Sequence, residues 1–301
     1  MTKIRSELQK GVLGLVVLAL MFASMGIFAR YLSHGFTIFQ QVYLRVFAAL
    51  ILCLIVFSRQ LDFQKISKIT KKEWGVLALR GILLYGLGVP LLSQALLDTK
   101  YGSVSFVSSL PFIALFGVLF FKERLTVLKS VLILMAVAGV GLIAIKDPNQ
   151  LLSWGRGEVL ALLAGAFVSL SYVARRWHGD SLNNQEMTTI MLLFGALSSF
   201  VSSVALSEGV PTNWTWAIIG VVILAGAANI INLLLTNYGF SRVSNVLASN
   251  ILTLQVLFAV IIGYVLYQEN LGPREWFGGL LIVLSVMLMN KYAPDGEPES
   301  T

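Results

Sequence analysis

The stretch at residues 111–125, PFIALFGVLFFKERL, returns later in the chain at residues 258–271 as FAVIIGYVLYQENL. Four residues of the first copy are identical to the residue 146 positions further on: Phe112, Gly117, Glu123 and Leu125. The same offset pairs four more residues with identical partners: Gly11, Arg30, Val137 and Leu142. Self-similarity of this length predicts a tandem repeat, which sets the architecture of the whole chain.

The composition is that of an integral membrane protein. Charged residues are 12% of the chain and hydrophobic residues 57%, whereas a soluble domain has about a quarter charged residues. Apolar segments of about 20 residues, long enough to cross the hydrocarbon layer as helices, fill nearly everything between Gly11 and Met289. The net charge of +7 does not indicate nucleic acid, because the basic residues fall in short turns. Cys53 is the only cysteine, so no internal disulfide is expected.

The apolar pattern predicts an all-α integral membrane protein with ten transmembrane helices. The predicted spans are residues 11–31, 36–58, 74–97, 101–121, 126–146, 157–177, 186–206, 214–238, 243–267 and 275–291. Five crossings per copy make the second copy enter from the opposite side, so we predict two inverted five-helix repeats. The predicted divisions are a cytoplasmic N-terminus (1–10), the first repeat (11–146), a periplasmic linker (147–156), the second repeat (157–291) and a disordered cytoplasmic tail (292–301).

The Lys and Arg residues of the connections set the predicted orientation. One set of alternate connections holds 15 of them and the other holds 5, which places both termini in the cytoplasm. The first apolar run is too long for a signal peptide and lacks a clear cleavage site, so we expect it to be retained as a helix.

Polar side chains inside apolar spans carry the functional signal, because lipid disfavours them unless they face a cavity or another helix. Asn229, Asn232 and Thr236 share one face of the eighth predicted helix. The ninth carries Asn245 and Asn250. Such amides either line a substrate cavity or bond neighbouring helices, and we favour the cavity for the asparagines. For the serines of the fourth helix we favour packing, although Ser108 remains a candidate for substrate binding.

Arg45 is the most conspicuous charge within a span. It lies about 13 Å into the second helix, near the membrane midplane, and Gln41 is four residues before it on the same face. Its planar fork suits a substrate carboxylate or phosphate. The structural alternative, which we favour, is that it binds helix-end carbonyls or pairs with Asp98. Arg80 lies nearer the cytoplasmic end of the third helix, and we expect it to snorkel to the surface.

Three further residues are weaker candidates for substrate binding. Tyr85 and Gln94 lie on the third helix, where Pro90 between them is expected to kink the helix. Tyr172 lies near the cytoplasmic end of the sixth helix, where aromatic and basic residues more often anchor a protein to headgroups.

Three segments resemble a known family: ARYLSHGFTIFQQVYLRVFAALIL with Arg30 and Arg45, QALLDTKYGSVSFVSSLPFIALFGVLFFKERL, and its counterpart ending YVLYQENL. With ten helices in two halves, they resemble the EamA-type transporters of the drug/metabolite transporter superfamily. The resemblance implies alternating access through a central cavity, with the fifth and tenth helices outside the cavity as scaffold. It also implies a small-molecule substrate and a bacterial inner membrane.

Several chemistries are not expected. The two histidines, His34 and His178, lie on opposite predicted sides, so no zinc site forms, and no P-loop sequence is present for ATP. We therefore expect no enzyme activity and no cofactor.

The substrate class that we favour is amino acids or similar zwitterions, carried by a monomer or weak homodimer in contact with membrane lipid and not with nucleic acid. No Asp or Glu lies near the midplane, which favours facilitated diffusion or exchange. The alternatives are an exporter of drugs or apolar cations, and a channel or assembly subunit that does not cycle.

Overall fold

The computed structural model describes residues 2–99, 101–145, 155–179, 181–268 and 272–292, and these residues form helices and no strand. The helices are α1 Thr2–Leu32, α2 Ile38–Val56, α3 Phe63–Lys68, α4 Lys71–Gly81, α5 Val89–Asp98, α6 Tyr101–Ser108, α7 Phe112–Phe121, α8 Val127–Ala144, α9 Arg156–Val173, α10 Asn184–Ala205, α11 Trp216–Phe240, α12 Asn245–Leu252, α13 Leu254–Tyr267 and α14 Pro273–Tyr292. A π-helical turn, Ile82–Gly88, joins α4 to α5, and a 3₁₀ turn, Ala174–Trp177, follows α9.

Within the described ranges, eight helical stretches are long and apolar enough to cross a membrane. They are formed by α1, α2, α4 with α5, α8, α9, α10, α11, and α12 with α13. The fourth predicted span forms a shorter apolar stretch, Phe106–Phe121. The tenth corresponds to α14, whose ends carry Arg274, Glu275 and Lys291. The chain is thus a multi-pass membrane protein.

The helix ends repeat at the offset found in the sequence. α7 ends at Phe121 and α13 ends at Tyr267, and each is followed by a residue in the left-handed region: Lys122 with φ 51° and Gln268 with φ 54°. Non-glycine residues rarely adopt this conformation, so its occurrence at both equivalent positions is informative. The predicted tandem repeat is confirmed.

The third span is not one uniform α-helix. Pro90 has no N–H and its ring crowds the preceding turn. The backbone just before it forms the π-helical turn. There the N–H of Val89 bonds the carbonyl of Leu84. The kink expected at Pro90 stays a prediction, whereas the observed π-helical turn widens the helix at Tyr85.

The fourth and ninth spans are each broken at similar places in the two repeats. α6 ends at Ser108, and α7 begins after Pro111. α12 ends at Leu252 and α13 begins after Thr253, whose hydroxyl donates to the Asn250 carbonyl at 2.6 Å. Broken membrane helices are typical where protein or a wet cavity, rather than lipid, surrounds the backbone.

The two repeats interleave. α2 of the first repeat packs on α10 and α11 of the second, and α9 of the second packs on α5, α6 and α7 of the first. α8 and α14, the fifth and tenth predicted helices, pack on each other, and a Cβ at Gly139 would lie 2.6 Å from the Gly278 carbonyl oxygen. The repeats therefore meet at two separate places, and the candidate site lies at the other one, where α2, α10, α11 and the π-helical turn pack together.

Candidate functional site

A buried hydrogen bond connects the two repeats at Tyr85 and Asn229. The Tyr85 hydroxyl donates to Asn229 Oδ1 at 3.3 Å, and both side chains are buried. Tyr85 lies in the π-helical turn of the first repeat and Asn229 in α11 of the second. The structure thus brings together two residues that the sequence analysis selected separately.

α10 fixes the position of the Tyr85 ring. Gly195 faces it, and a Cβ at Gly195 would lie 2.6 Å from Tyr85 Cδ2. One turn further, the Ser199 hydroxyl donates to the Tyr85 carbonyl oxygen at 2.7 Å. That bond satisfies a backbone acceptor in the irregular turn, so a small residue and a hydroxyl on one helix hold Tyr85 toward Asn229.

Arg45 lies beside Tyr85 and is 5% exposed. Its Nε donates to the Gln41 carbonyl oxygen at 3.0 Å, and Gln41 Nε2 donates to the Phe36 carbonyl oxygen at 3.1 Å. Arg45 is close enough to Tyr85 for an electrostatic interaction. Among the described residues no carboxylate forms an ion pair with it.

The alternative of an Arg45–Asp98 pair is not what the structure contains. Asp98 lies 3.4 Å from Arg156 Nε and accepts a hydrogen bond from Gln94 Nε2 at 2.7 Å. The other structural alternative, a hydrogen bond to a helix carbonyl, is observed between Arg45 Nε and the Gln41 carbonyl oxygen. The two terminal nitrogens of Arg45 remain for another ligand.

Tyr172 is buried and does not lie at a headgroup surface. Its ring stacks on Phe22 of α1 with centroids 5.7 Å apart and lies 5.6 Å from the ring of Phe240 of α11. It is also close enough to Tyr85 for an electrostatic interaction. The anchoring alternative is therefore wrong for Tyr172, because its side chain is buried within the protein.

We call five of these residues the inter-repeat cluster: Gln41, Arg45, Tyr85, Tyr172 and Asn229. The cluster combines a guanidinium, two phenols and two amides in a buried setting, which can bind a carboxylate and orient the neighbouring polar groups of a small solute. Asn232 lies one turn further along α11, and its buried Oδ1 has no hydrogen-bond partner in the described part of the chain.

The remaining candidates lie elsewhere. Gln94 is half-buried and bonded to Asp98 near the end of α5. Ser108 is half-buried at the break between α6 and α7, where a Cβ at Gly165 of α9 would lie 2.9 Å from the Ser108 carbonyl oxygen. Neither contacts the inter-repeat cluster through a described hydrogen bond.

Asn245 belongs to a second connection between the repeats, which sequence reasoning did not find. Glu123, just after α7, accepts hydrogen bonds from Asn245 N at 3.0 Å, Asn245 Nδ2 at 2.7 Å and Val246 N at 3.0 Å. Arg176 forms an ion pair with the same carboxylate. The left-handed Lys122 turns the chain so that Glu123 caps the N-terminus of α12. The signal in the sequence was the recurrence of Glu123 as Glu269 at the repeat offset.

Asn250 lies on the scaffold side of α12. Its Oδ1 accepts a hydrogen bond from the Ser285 hydroxyl of α14 at 2.9 Å, and Ser285 also donates to the Leu132 carbonyl of α8 at 2.6 Å. These contacts favour the helix-packing alternative for Asn250. The two asparagines of α12 therefore face different neighbours.

Arg80 is fully buried, and the expectation that it snorkels is wrong. Its Nε donates to the Ser171 carbonyl at 2.9 Å and its Nη2 to Asn237 Oδ1 at 2.6 Å. The Ser171 hydroxyl donates back to the Arg80 carbonyl at 2.8 Å, and Asn237 Nδ2 donates to Thr188 Oγ1 at 3.2 Å. Asn237 escaped the sequence analysis, although it lies next to Thr236 of the polar stripe.

His178 follows the 3₁₀ turn, outside the membrane-crossing stretch, and is buried. Burial lowers the pKa of its imidazole, and the nearby Arg175 lowers it further, while a hydrogen bond with the Gly179 carbonyl acts the other way. The side chain is therefore held neutral in the folded protein near pH 7.

Some predicted features lie outside the described residues. These are Glu269, the tail from residue 293, and most of the linker at 147–156. A surface pocket of about 380 Å³ lies at the connection between α3 and α4, and its lining includes Asp62, Lys65 and Lys68. None of its lining residues belongs to the inter-repeat cluster, and we do not place the substrate site there.

The comparisons with known proteins agree with this architecture. The model of the EamA-like transporter family matches residues 9–145 and 155–291, one match for each repeat. An uncharacterized transporter of Synechocystis sp. is 23% identical over 256 residues, which cover 80% of this chain and 72% of that protein. A crystal structure of another protein superposes with a TM-score of 0.76 at 16% identity and covers 94% of this chain and 98% of that one, which shows the same fold.

Proposed function

Because the chain belongs to the EamA-like transporter family, part of the drug/metabolite transporter superfamily, we propose that it is a secondary transporter of small organic metabolites. In this proposal ten helices form two inverted five-helix repeats, and the repeats rock around the inter-repeat cluster to give alternating access. The protein lies in a bacterial inner membrane as a monomer or weak homodimer, with both termini in the cytoplasm.

The observation that carries the proposal is the Tyr85–Asn229 hydrogen bond with Arg45 beside it. At 3.3 Å it is long for a hydroxyl donor, and it joins two repeats that must separate if a solute is to pass. Polar side chains within membrane spans are destabilised by contact with lipid and stabilised by hydrogen bonds to a polar solute. A solute that takes over the hydrogen bonds of Tyr85 and Asn229 would let the repeats move apart without leaving those groups unpaired.

The breaks in the fourth and ninth spans support the same position. In transporters built from inverted repeats, substrate sites commonly lie near the midplane beside interrupted helices in equivalent places of the two halves. Here the breaks after Ser108 and Leu252 occupy similar positions in the two copies.

The substrates that we favour are amino acids or similar zwitterions, exported or exchanged. The two terminal nitrogens of Arg45 suit a carboxylate, while the carbonyl oxygens of Asn229 and Asn232 suit an ammonium group. The buried guanidinium counts against the alternative of apolar cations or drugs, because a cationic solute would meet a like charge in a medium of low dielectric constant.

Counterflow in proteoliposomes tests the proposal. Vesicles containing the purified protein are loaded with an unlabelled amino acid and placed in the same labelled amino acid, one by one through the twenty. A carrier concentrates the label transiently inside and saturates with concentration. A channel or an assembly subunit gives no transient accumulation, and that result with all twenty amino acids would end the assignment as an amino-acid carrier.

A further inference from the structure

Arg80 has more hydrogen-bonding capacity than its surroundings use. The guanidinium is fully buried, and its Nη1 has no hydrogen-bond partner in the described part of the chain. Both partners that it has, the Ser171 carbonyl and Asn237 Oδ1, are neutral. A buried donor without an acceptor destabilises the folded state, so an unused nitrogen on a charged group calls for a ligand.

The charge of Arg80 is also without a counter-ion. Among the described residues, no Asp or Glu lies within ion-pair distance of it, and Arg45 shares this property. The nearby titratable groups are Arg175, a second cation, and Tyr172. Two buried guanidiniums in the membrane region without carboxylates make the interior positive, which favours an anionic ligand.

The two arginines reach the same buried region from opposite ends of the molecule. Arg45 is about 10 Å from the start of α2 at Ile38, and Arg80 is about 13 Å from the start of α4 at Lys71. α2 and α4 are consecutive spans, so these starts lie at opposite ends of the molecule. Electrostatic contacts run from Arg45 to Tyr85, from Tyr85 to Tyr172, and from Tyr172 to Arg80.

We propose that Arg80 is a second anion subsite, at which Nη1 and the Arg80 charge bind the carboxylate or phosphate group of a solute. The subsite rests on the transport function proposed above, because α4 must part from α9 before a ligand reaches Nη1. The anionic group passes between Arg80 and Arg45 along the two tyrosines, so it meets a guanidinium on each side of the membrane midplane. Both subsites reject cations and accept anions or zwitterions.

The same contacts would also serve a purely structural clamp between α4, α9 and α11, and the two roles differ in one measurable way. A clamp leaves only the general effect of each salt, which the wild type and the variants share. An anion subsite adds a stabilisation that depends on Arg80, because a ligand that binds the folded form raises its unfolding temperature.

The test measures that temperature for the purified full chain in lipid-free dodecyl maltoside, with sodium acetate or sodium phosphate titrated against sodium chloride at constant ionic strength. The absence of lipid separates a soluble anion from a phospholipid headgroup, which is added back as phosphatidylglycerol in a parallel series. The variants are Arg80→Gln and Arg80→Lys, with Arg242→Gln as the matched control, since Arg242 pairs with Glu7 near the surface.

Acetate or phosphate should raise the unfolding temperature of the wild type and of Arg242→Gln alike. In Arg80→Gln the shift should fall to the part that depends on Arg45. Arg80→Lys keeps the positive charge but loses the planar fork, so it should weaken the apparent affinity for the anion at least about tenfold. This variant tests the subsite even if Arg80→Gln does not fold.

Equal titrations in the wild type and Arg80→Lys, no shift in the wild type, or a shift with phosphatidylglycerol alone would each overturn the subsite. Failure of the two proposals can be told apart. An Arg80-dependent anion shift without counterflow of any amino acid keeps the subsite and removes the carrier assignment. Counterflow together with an anion shift that ignores Arg80 keeps the carrier and removes the subsite.

Discussion

Removal of the Glu123 side chain should destabilise the protein more than removal of any surface carboxylate. Glu123 is 10% exposed and Arg176 12% exposed, and the carboxylate also accepts three hydrogen bonds from the start of α12. Glu123→Ala leaves a largely buried guanidinium without its counter-ion and two backbone N–H groups of α12 without a cap. Breaking a buried pair from one side costs about 3–5 kcal/mol, and we expect the loss to fall in that range.

The assay is equilibrium unfolding in mixed micelles of SDS and dodecyl maltoside, followed by tryptophan fluorescence, to which Trp177 contributes beside the Phe120 ring. The matched control is Glu7→Ala, whose ion pairs with Lys10 and Arg242 are exposed and should contribute little that the assay resolves. The double variant Glu123→Ala/Arg176→Ala should lose less than the sum of the two single variants. Equal losses for Glu123→Ala and Glu7→Ala would refute the assignment of Glu123 as a buried cap between the repeats.

Three further predictions follow from close contacts and burial. Gly195→Ala places a Cβ 2.6 Å from Tyr85 Cδ2 and should reduce the counterflow rate severalfold. The control, Gly220→Ala, would place its Cβ with no atom within 4 Å and should leave the rate unchanged. Equal rates in the two variants would show that transport does not depend on the position of Tyr85. Gly139→Ala brings a Cβ to 2.6 Å from the facing carbonyl oxygen of α14 and should lower the free energy of unfolding by about 1–3 kcal/mol in the same micelles. If stability does not fall, α8 and α14 separate freely. Because the pKa of His178 lies below the usual 6.5, the unfolded chain takes up a proton first as the pH falls. The free energy of unfolding should therefore be complete above about pH 6.5 and decline below it. His178→Gln should reduce that decline, and an unchanged pH profile of stability would contradict the assignment.

The repeat and the membrane class could be predicted because they depend on patterns that local sequence carries. The offset of 146 residues was read from identical residues alone, and the structure places equivalent left-handed residues, Lys122 and Gln268, at the same offset. The break after Ser108 was missed because apolar composition is the same on both sides of Pro111, and a proline in a membrane helix is compatible with either a kink or an interruption.

The site was predicted less completely, because a polar stripe shows which face of a helix is polar but not which neighbour that face meets. Asn229 meets Tyr85 between the repeats, whereas Asn250 meets Ser285 on the scaffold. Arg80 was expected at the surface from its depth alone, and its burial depends on Ser171 and Asn237, which are distant in sequence. Contacts of this kind follow from how the two repeats dock.

The central claim is that the inter-repeat cluster binds the transported solute, and paired asparagine substitutions test it most directly. Saturation of counterflow is measured for Asn229→Ala and Asn250→Ala with whichever amino acid the wild type exchanges. We predict that Asn229→Ala raises the half-saturating concentration about tenfold, because the solute loses its hydrogen bonds with the Asn229 amide, while Asn250→Ala saturates like the wild type. The reverse order, or no change in either variant, would contradict the claim.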